Sequence, residues 1–202
     1  MVRITQVSVA READDLVVSA HISMPGLEDI AWYRLPAESG TDVEAASDAF
    51  VIIGLIIAMG SDHKLEFSMP LSARLRYNSR AIQSIFVDWY SKKLANAAIR
   101  VPRRDHDAQP LQTSAISCFT GGVDSFYSFV TNQDDIGSLL YIHGFDIPLG
   151  RTDLREETAT HLLNVASSAD KELIEVSTNI RHFLDPAVEW GHVSHGPALA
   201  TF

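Results

Sequence analysis

Residues 115–125 read Ala115-Ile116-Ser117-Cys118-Phe119-Thr120-Gly121-Gly122-Val123-Asp124-Ser125, a short apolar run followed by a paired-glycine turn. The run predicts a short strand, and VDSFYSFVTNQ after the turn predicts a helix. The alternation continues with SLLYIHGF as a second strand, REETATHLLNVASSAD as a second helix and ELIEVST as a third strand. A βαβαβ order implies a parallel sheet with right-handed crossovers, and such sheets bind ligands beyond the carboxyl ends of their strands. Functional residues are therefore expected just after Phe119, Phe145 and Thr178.

The first of these places is the turn itself. Two adjacent glycines let the backbone turn tightly and approach a ligand with no Cβ in the way, while the following helix directs unpaired N–H groups at the same point. That makes an anion cradle suited to phosphate, with the Ser125 hydroxyl as a further donor. The same residues equally suit a plain strand-to-helix turn, so turn chemistry alone leaves both readings open. Other phosphate motifs are excluded: the chain has no Gly-Lys pair for a Walker A loop and no two glycines one residue apart for a dinucleotide fingerprint. It also lacks a serine flanked by glycines at both second positions, as a nucleophile elbow requires.

TGGVDS resembles the Ser-Gly-Gly-x-Asp-Ser loop of the PP-loop ATP pyrophosphatases, the adenine nucleotide alpha-hydrolase superfamily. GMP, asparagine, argininosuccinate and NAD synthetases, tRNA-thiolating enzymes and 7-cyano-7-deazaguanine synthase belong to it. Five of six positions match, and Thr120 keeps a hydroxyl where the family has its first serine. The resemblance covers residues 114–202, and the order SDAF, MPLS, GGVDSFYS, HGFDIPL and TNIR is similar to bacterial proteins with an extra N-terminal domain. It implies an α/β, HUP/Rossmann-like parallel-sheet domain that binds ATP and Mg2+ and adenylates a small-molecule oxygen with release of pyrophosphate. A non-hydrolysing ATP-binding or regulatory module of the same fold is the alternative. Carried over by position, Thr120, Gly121, Gly122, Val123, Asp124 and Ser125 would hold the phosphates, and Asp124 would lie near the magnesium. The end of the second strand, Ile142, His143 and Gly144, would take the adenine.

Charge sets a further requirement. The net charge of -10 divides into -2 for residues 1–110 and -8 for residues 111–202. An acidic segment repels nucleic-acid backbones and favours a small metabolite as substrate. Charge developing on a phosphate there calls for an aimed cation, and Arg151, Arg155, Lys171 and Arg181 are the candidates. Arg181, three residues past the third strand, suits the role as a catalytic fork, or else forms a surface ion pair with Asp185. His182, His192 and His195 have a spacing that metal ligands also use, although Gly191 and Gly196 suggest a loop. His143 is either part of the adenine edge or a strand-end residue bonded to Asp146. The single cysteine, Cys118, rules out an intramolecular disulfide, reads as an inert core thiol and fits a cytoplasmic protein.

Residues 1–104 read as a small α+β domain that proposes no chemistry. ITQVSVA and LVVSAHISM form a hairpin pattern, with AWYRLP a third strand. DAFVIIGLIIAMG reads as a buried helix capped by Ser47 and ending at Gly60, followed by a strand at KLEFS. A second helix runs from Pro70 to Leu94, with Leu71, Leu75, Ile82, Ile85, Phe86 and Trp89 as a core stripe, and AAIRV is a last strand. Lys92, Lys93, Arg100, Arg103 and Arg104 form the only basic cluster, read as a solvated helix end and linker, the linker proper being residues 105–113. The longest apolar run, Ala49–Met59, falls short of the roughly 20 residues that span a bilayer, and the N-terminus lacks a secretory pattern, so the chain is expected to start near Met1. Three parallel strands leave a sheet edge and the last helix's apolar face uncovered. The second domain is thus expected to be incomplete, either as a fragment of a longer protein or as one half of a homodimer.

Overall fold

The computed structural model describes residues 1–102 and 115–202. Linker residues 105–113 and the basic residues Arg103 and Arg104 lie outside the described residues. The chain begins with a meander of β1 (Val2–Glu12), β2 (Asp15–Met24) and β3 (Leu27–Pro36). Alternating burial along β2 marks its inner face, and β1 carries a bulge between Thr5 and Ser8 where Gln6 adopts a positive φ of 55°. Helix α1 (Val43–Gly60) follows, then β4 (Leu65–Phe67), α2 (Ala73–Trp89) and β5 (Ile99–Arg100). Beyond residue 114 come β6 (Ala115–Cys118), α3 (Val123–Thr131), β7 (Ile136–His143), α4 (Thr152–Ser168) and β8 (Glu172–Thr178). The chain closes with α5 (Arg181–Leu184), a π-helical turn at Trp190–Ser194 and α6 (His195–Leu199).

Among the described residues eight strands form one mixed sheet, in the order β5-β4-β1-β2-β3-β8-β7-β6. β6, β7 and β8 are parallel neighbours, as the βαβαβ pattern predicts. The edge of β8 that sequence leaves bare is taken by β3, which pairs antiparallel through Tyr33 opposite Thr178 and Arg34 opposite Ser177. The segments that read separately in sequence therefore share a sheet, and β6 is its terminal strand on that side.

Helix α1 is long and apolar enough, by length and composition, to cross a membrane, yet 61% of it is buried within the fold. It packs on β1 and β4 so closely that a Cβ on Gly54 would come within 2.5 Å of the Ile4 side chain. Its cap differs from expectation. Asp42, not Ser47, caps the helix by accepting from the Ala45 N–H at 2.7 Å, and Ser47 is buried one turn inside, donating to the Val43 carbonyl. The expected core stripe of α2 also needs correction. Ile85 and Trp89 are exposed, 47% and 67%, because α2 turns Ser79 and Gln83 inward, where the Gln83 carbonyl oxygen accepts from the Ala97 N–H. α4 and α3 cover one face of β6–β8 around Phe119, Phe129, Leu139 and Leu162, while Leu140, Ile142 and Val176 on the other face join the main core.

Candidate functional site

The carboxyl ends of β6, β7 and β8 lie side by side, so residues 119–125, 144–150 and 179–181 form one rim. At β6, Phe119 is fully buried and its N–H donates to the Leu140 carbonyl, which anchors the turn to β7. The chain then comes to the surface: Thr120, Gly121, Gly122, Val123 and Asp124 are all exposed. Gly121 has φ of 77°, and a Cβ there would press on Leu162 of α4 at 3.0 Å, so glycine is required for conformation and for space. Gly122 is different. Its φ of −78° suits any residue, and a Cβ would meet only the Thr120 hydroxyl at 3.6 Å. It thus keeps open the ground above the first turn of α3, where Gly122 stands at the N-cap and no side chain caps the amides. The Ser125 hydroxyl donates to the Gly122 carbonyl at 2.9 Å, leaving its oxygen lone pairs and the helix amides at the turn.

The middle of the rim is backbone rather than side chain. Ile142 and His143 are buried, and the His143 ring contacts the Pro148 carbonyl at 3.2 Å through Nε2 instead of Asp146. Gly144 adopts φ of 103°, and a Cβ on it would stand 2.1 Å from the Thr178 carbonyl, so the ends of β7 and β8 touch here through bare backbone. Gly144 is buried as well, so residues 142–144 offer a ligand no exposed surface.

Arg181 is tethered on three sides. Its Nη1 donates to the Phe145 carbonyl at 2.7 Å, its Nε and Nη2 grip both oxygens of Asp185, and its guanidinium lies 4.6 Å from the centre of the Trp190 ring. The ion pair with Asp185 that sequence left open is thus present. The other cations are also placed: Arg151 forms a fork with Asp153, Arg155 pairs with Glu175, and Lys171 precedes the amino end of β8, away from the rim. The Arg151 fork pulls the Asp153 carboxyl down to about 2.

The histidines do not gather. His182 faces Asp29 at 3.5 Å, His192 faces Glu189 at 3.7 Å, and His195 packs at a tilt against Trp190. Among the described residues no three metal-ligating side chains come together. Cys118 is half-buried, and burial pushes its thiol up. Of the basic cluster, Lys93 pairs with Glu189, and Arg100 lies 3.7 Å from Glu66.

Sequence reading overlooked Asn179. Its side-chain carbonyl accepts from the Trp32 N–H at 2.8 Å and its amide donates to the Ile30 carbonyl at 2.9 Å, continuing the β3–β8 pairing past the end of β8. Its position one residue beyond a parallel strand is the signal that was available. A separate cavity of about 540 Å³, lined by Tyr33, Ala45, Ala49, Leu140, Val176 and Phe202, opens on the sheet face opposite α3 and α4. No family model matches the chain, and neither a curated protein nor a solved structure matches it.

Proposed function

We propose that the rim of β6, β7 and β8 is a nucleotide site of the adenine nucleotide alpha-hydrolase kind, taking ATP with magnesium. The observation that carries this reading is the turn from Thr120 to Asp124, which is exposed, kept clear by Gly122, and set before a helix whose first amides have no side-chain cap. Its residues fit the group. Successive N–H groups suit phosphate oxygens, and one exposed carboxylate, Asp124, suits a magnesium that takes its other ligands from phosphate and water. The base is assigned to the end of β7 by the resemblance alone, since Ile142, His143 and Gly144 are buried.

ATP and magnesium, when bound, supply an electrophilic phosphorus with pyrophosphate as leaving group, for adenylation of a small-molecule carboxylate or amide-like oxygen. What the chain adds is orientation: the turn holds the phosphates, and Arg181 stands at the end of β8 with its guanidinium plane fixed by Asp185, Phe145 and Trp190. One observation favours the second reading, a module that holds ATP without splitting it. Arg151, Arg155 and Arg181 are all ion-paired and Lys171 lies at the opposite end of β8, so no unpaired arginine stands at the rim to follow charge developing on phosphorus.

Calorimetric titration with ATP and magnesium tests the site. The chain is expected to bind, with Gly122→Val and Asp124→Ala each weakening binding by about tenfold or more, since one fills the cradle and the other removes the magnesium ligand. Absence of heat from a folded sample refutes the reading. Release of pyrophosphate in the presence of candidate carboxylates separates the enzyme from the holding module.

A further inference from the structure

Helix α2 buries polar side chains and shows apolar ones. Ser79 and Gln83 are buried, whereas Tyr77, Ala81, Ile85 and Trp89, spaced four residues apart, form one exposed row in which Tyr77 is 86% accessible. A second such row lies on α3, where exposed Val123, Tyr127 and Val130 follow at i, i+4 and i+7, with Tyr127 72% accessible. Single exposed apolar residues are ordinary on a protein surface, but rows of this length mark contact sites. The two rows differ in charge. Residues 71–102 carry six basic side chains against one acidic, Asp88, and Arg76 and Arg80 stand exposed on α2 itself. Residues 115–135 carry no basic side chain and three exposed acidic ones, Asp124, Asp134 and Asp135.

We propose that the α2 row of one chain docks on the α3 row of a second copy. Charge complementarity selects this occupant: a basic helix and an acidic one of the same chain each find in the other an apolar partner of opposite charge. α2 is bonded through Gln83 to Ala97 just ahead of β5, and α3 packs on β6, so the rows sit at opposite ends of the sheet order. The contact is therefore heterologous, head to tail, and builds a ring or an open chain according to the rotation between copies. Each row exposes on the order of 400 Å² of apolar side chain, so one junction with its polar rim removes about 1,000 Å², the low end of specific interfaces. Association is accordingly weak and, because the charged groups are exposed, it falls as salt rises. Docking of this kind needs no nucleotide.

Sedimentation velocity on the whole chain at low salt tests the junction, with circular dichroism to confirm that each variant is folded. The unaltered chain is expected to exceed the mass of one chain as its concentration rises through roughly 10–500 μM, the range of a weak interface. Tyr77→Ser with Trp89→Ser removes one row, and Tyr127→Ser with Val130→Ser removes the other. Each of these proteins is expected to stay monomeric, and their mixture to form a species of two chains and no larger, since one intact junction remains. Arg76→Glu with Arg80→Glu, and separately Asp134→Lys with Asp135→Lys, are each expected to weaken self-association by about tenfold, and their mixture to regain it. A chain that stays monomeric throughout this range overturns the proposal, whether or not vesicles of phosphatidylglycerol bind α2 in its place. So does self-association that survives loss of either row, or a mixture of the two serine variants that stays monomeric.

Discussion

At the level of single residues, the glycines of the rim separate into those the backbone needs and one that the surface needs. Gly144 combines φ of 103° with a Cβ position 2.1 Å from the Thr178 carbonyl. Gly144→Ala is therefore expected to cost about 2–4 kcal/mol in denaturant unfolding, since it adds backbone strain to a clash that only main-chain movement relieves. Gly122 has neither constraint, so Gly122→Ala should leave stability within about 0.5 kcal/mol of the unaltered chain. Equal losses at the two positions would contradict this assignment. Asp153 offers a titration. Its folded value of about 2 lies below the ordinary carboxylate value of 3.8, so its ion pair with Arg151 stabilises the fold above the ordinary value and is lost as pH falls through about 2. Carboxyl-detected NMR is expected to show that low midpoint, moving back up in Arg151→Gln. The paired-glycine turn and its place before α3 were legible in the sequence because turn chemistry acts locally. The tethering of Arg181 was not, because Phe145 and Trp190 meet it only after folding.

Among the elements, helix and strand identities followed from hydrophobic period, whereas boundaries and faces depended on neighbours. Asp42 and Ser47 are both good capping residues, and the weakly apolar VEAA stretch between them offered no reason to prefer the earlier one. In the fold Asp42 is extended and its carboxylate reaches Ala45, so Asp42→Ala should cost about 1 kcal/mol of stability. On α2 the apolar spacing is helical, and Leu75, Phe86 and Val87 pack against the core, but each is only partly buried. The fully buried side chains of α2, Ser79 and Gln83, are polar. Gln83→Leu strands the Ala97 N–H and is expected to cost about 1–3 kcal/mol, while Trp89→Ala on the exposed side should change stability much less. Thermal or denaturant unfolding of the pair decides which face of α2 is structural.

For the molecule as a whole, the shared sheet makes a prediction that two independent domains would not. Because β3 and β8 are paired and α1 packs against α5 and α6, unfolding should be one cooperative transition. Tryptophan fluorescence and far-ultraviolet circular dichroism are expected to give coincident curves, and Thr178→Val, at the seam, should shift both by about 1 kcal/mol. Two separated transitions would refute this. By itself the sequence determined the βαβαβ order, the parallel sense of β6, β7 and β8, and the place of the TGGVDS turn at their carboxyl edge. Those follow from local period, turn chemistry and the handedness of crossovers, all of which act over a few tens of residues. Only the tertiary structure decided what lies against β8, that α1 is a core helix shared by both segments, and that Asn179 is held from outside its own βαβ unit. Those contacts join residues about 150 apart in the chain, where no periodicity connects them and burial and backbone hydrogen bonding alone select the partner.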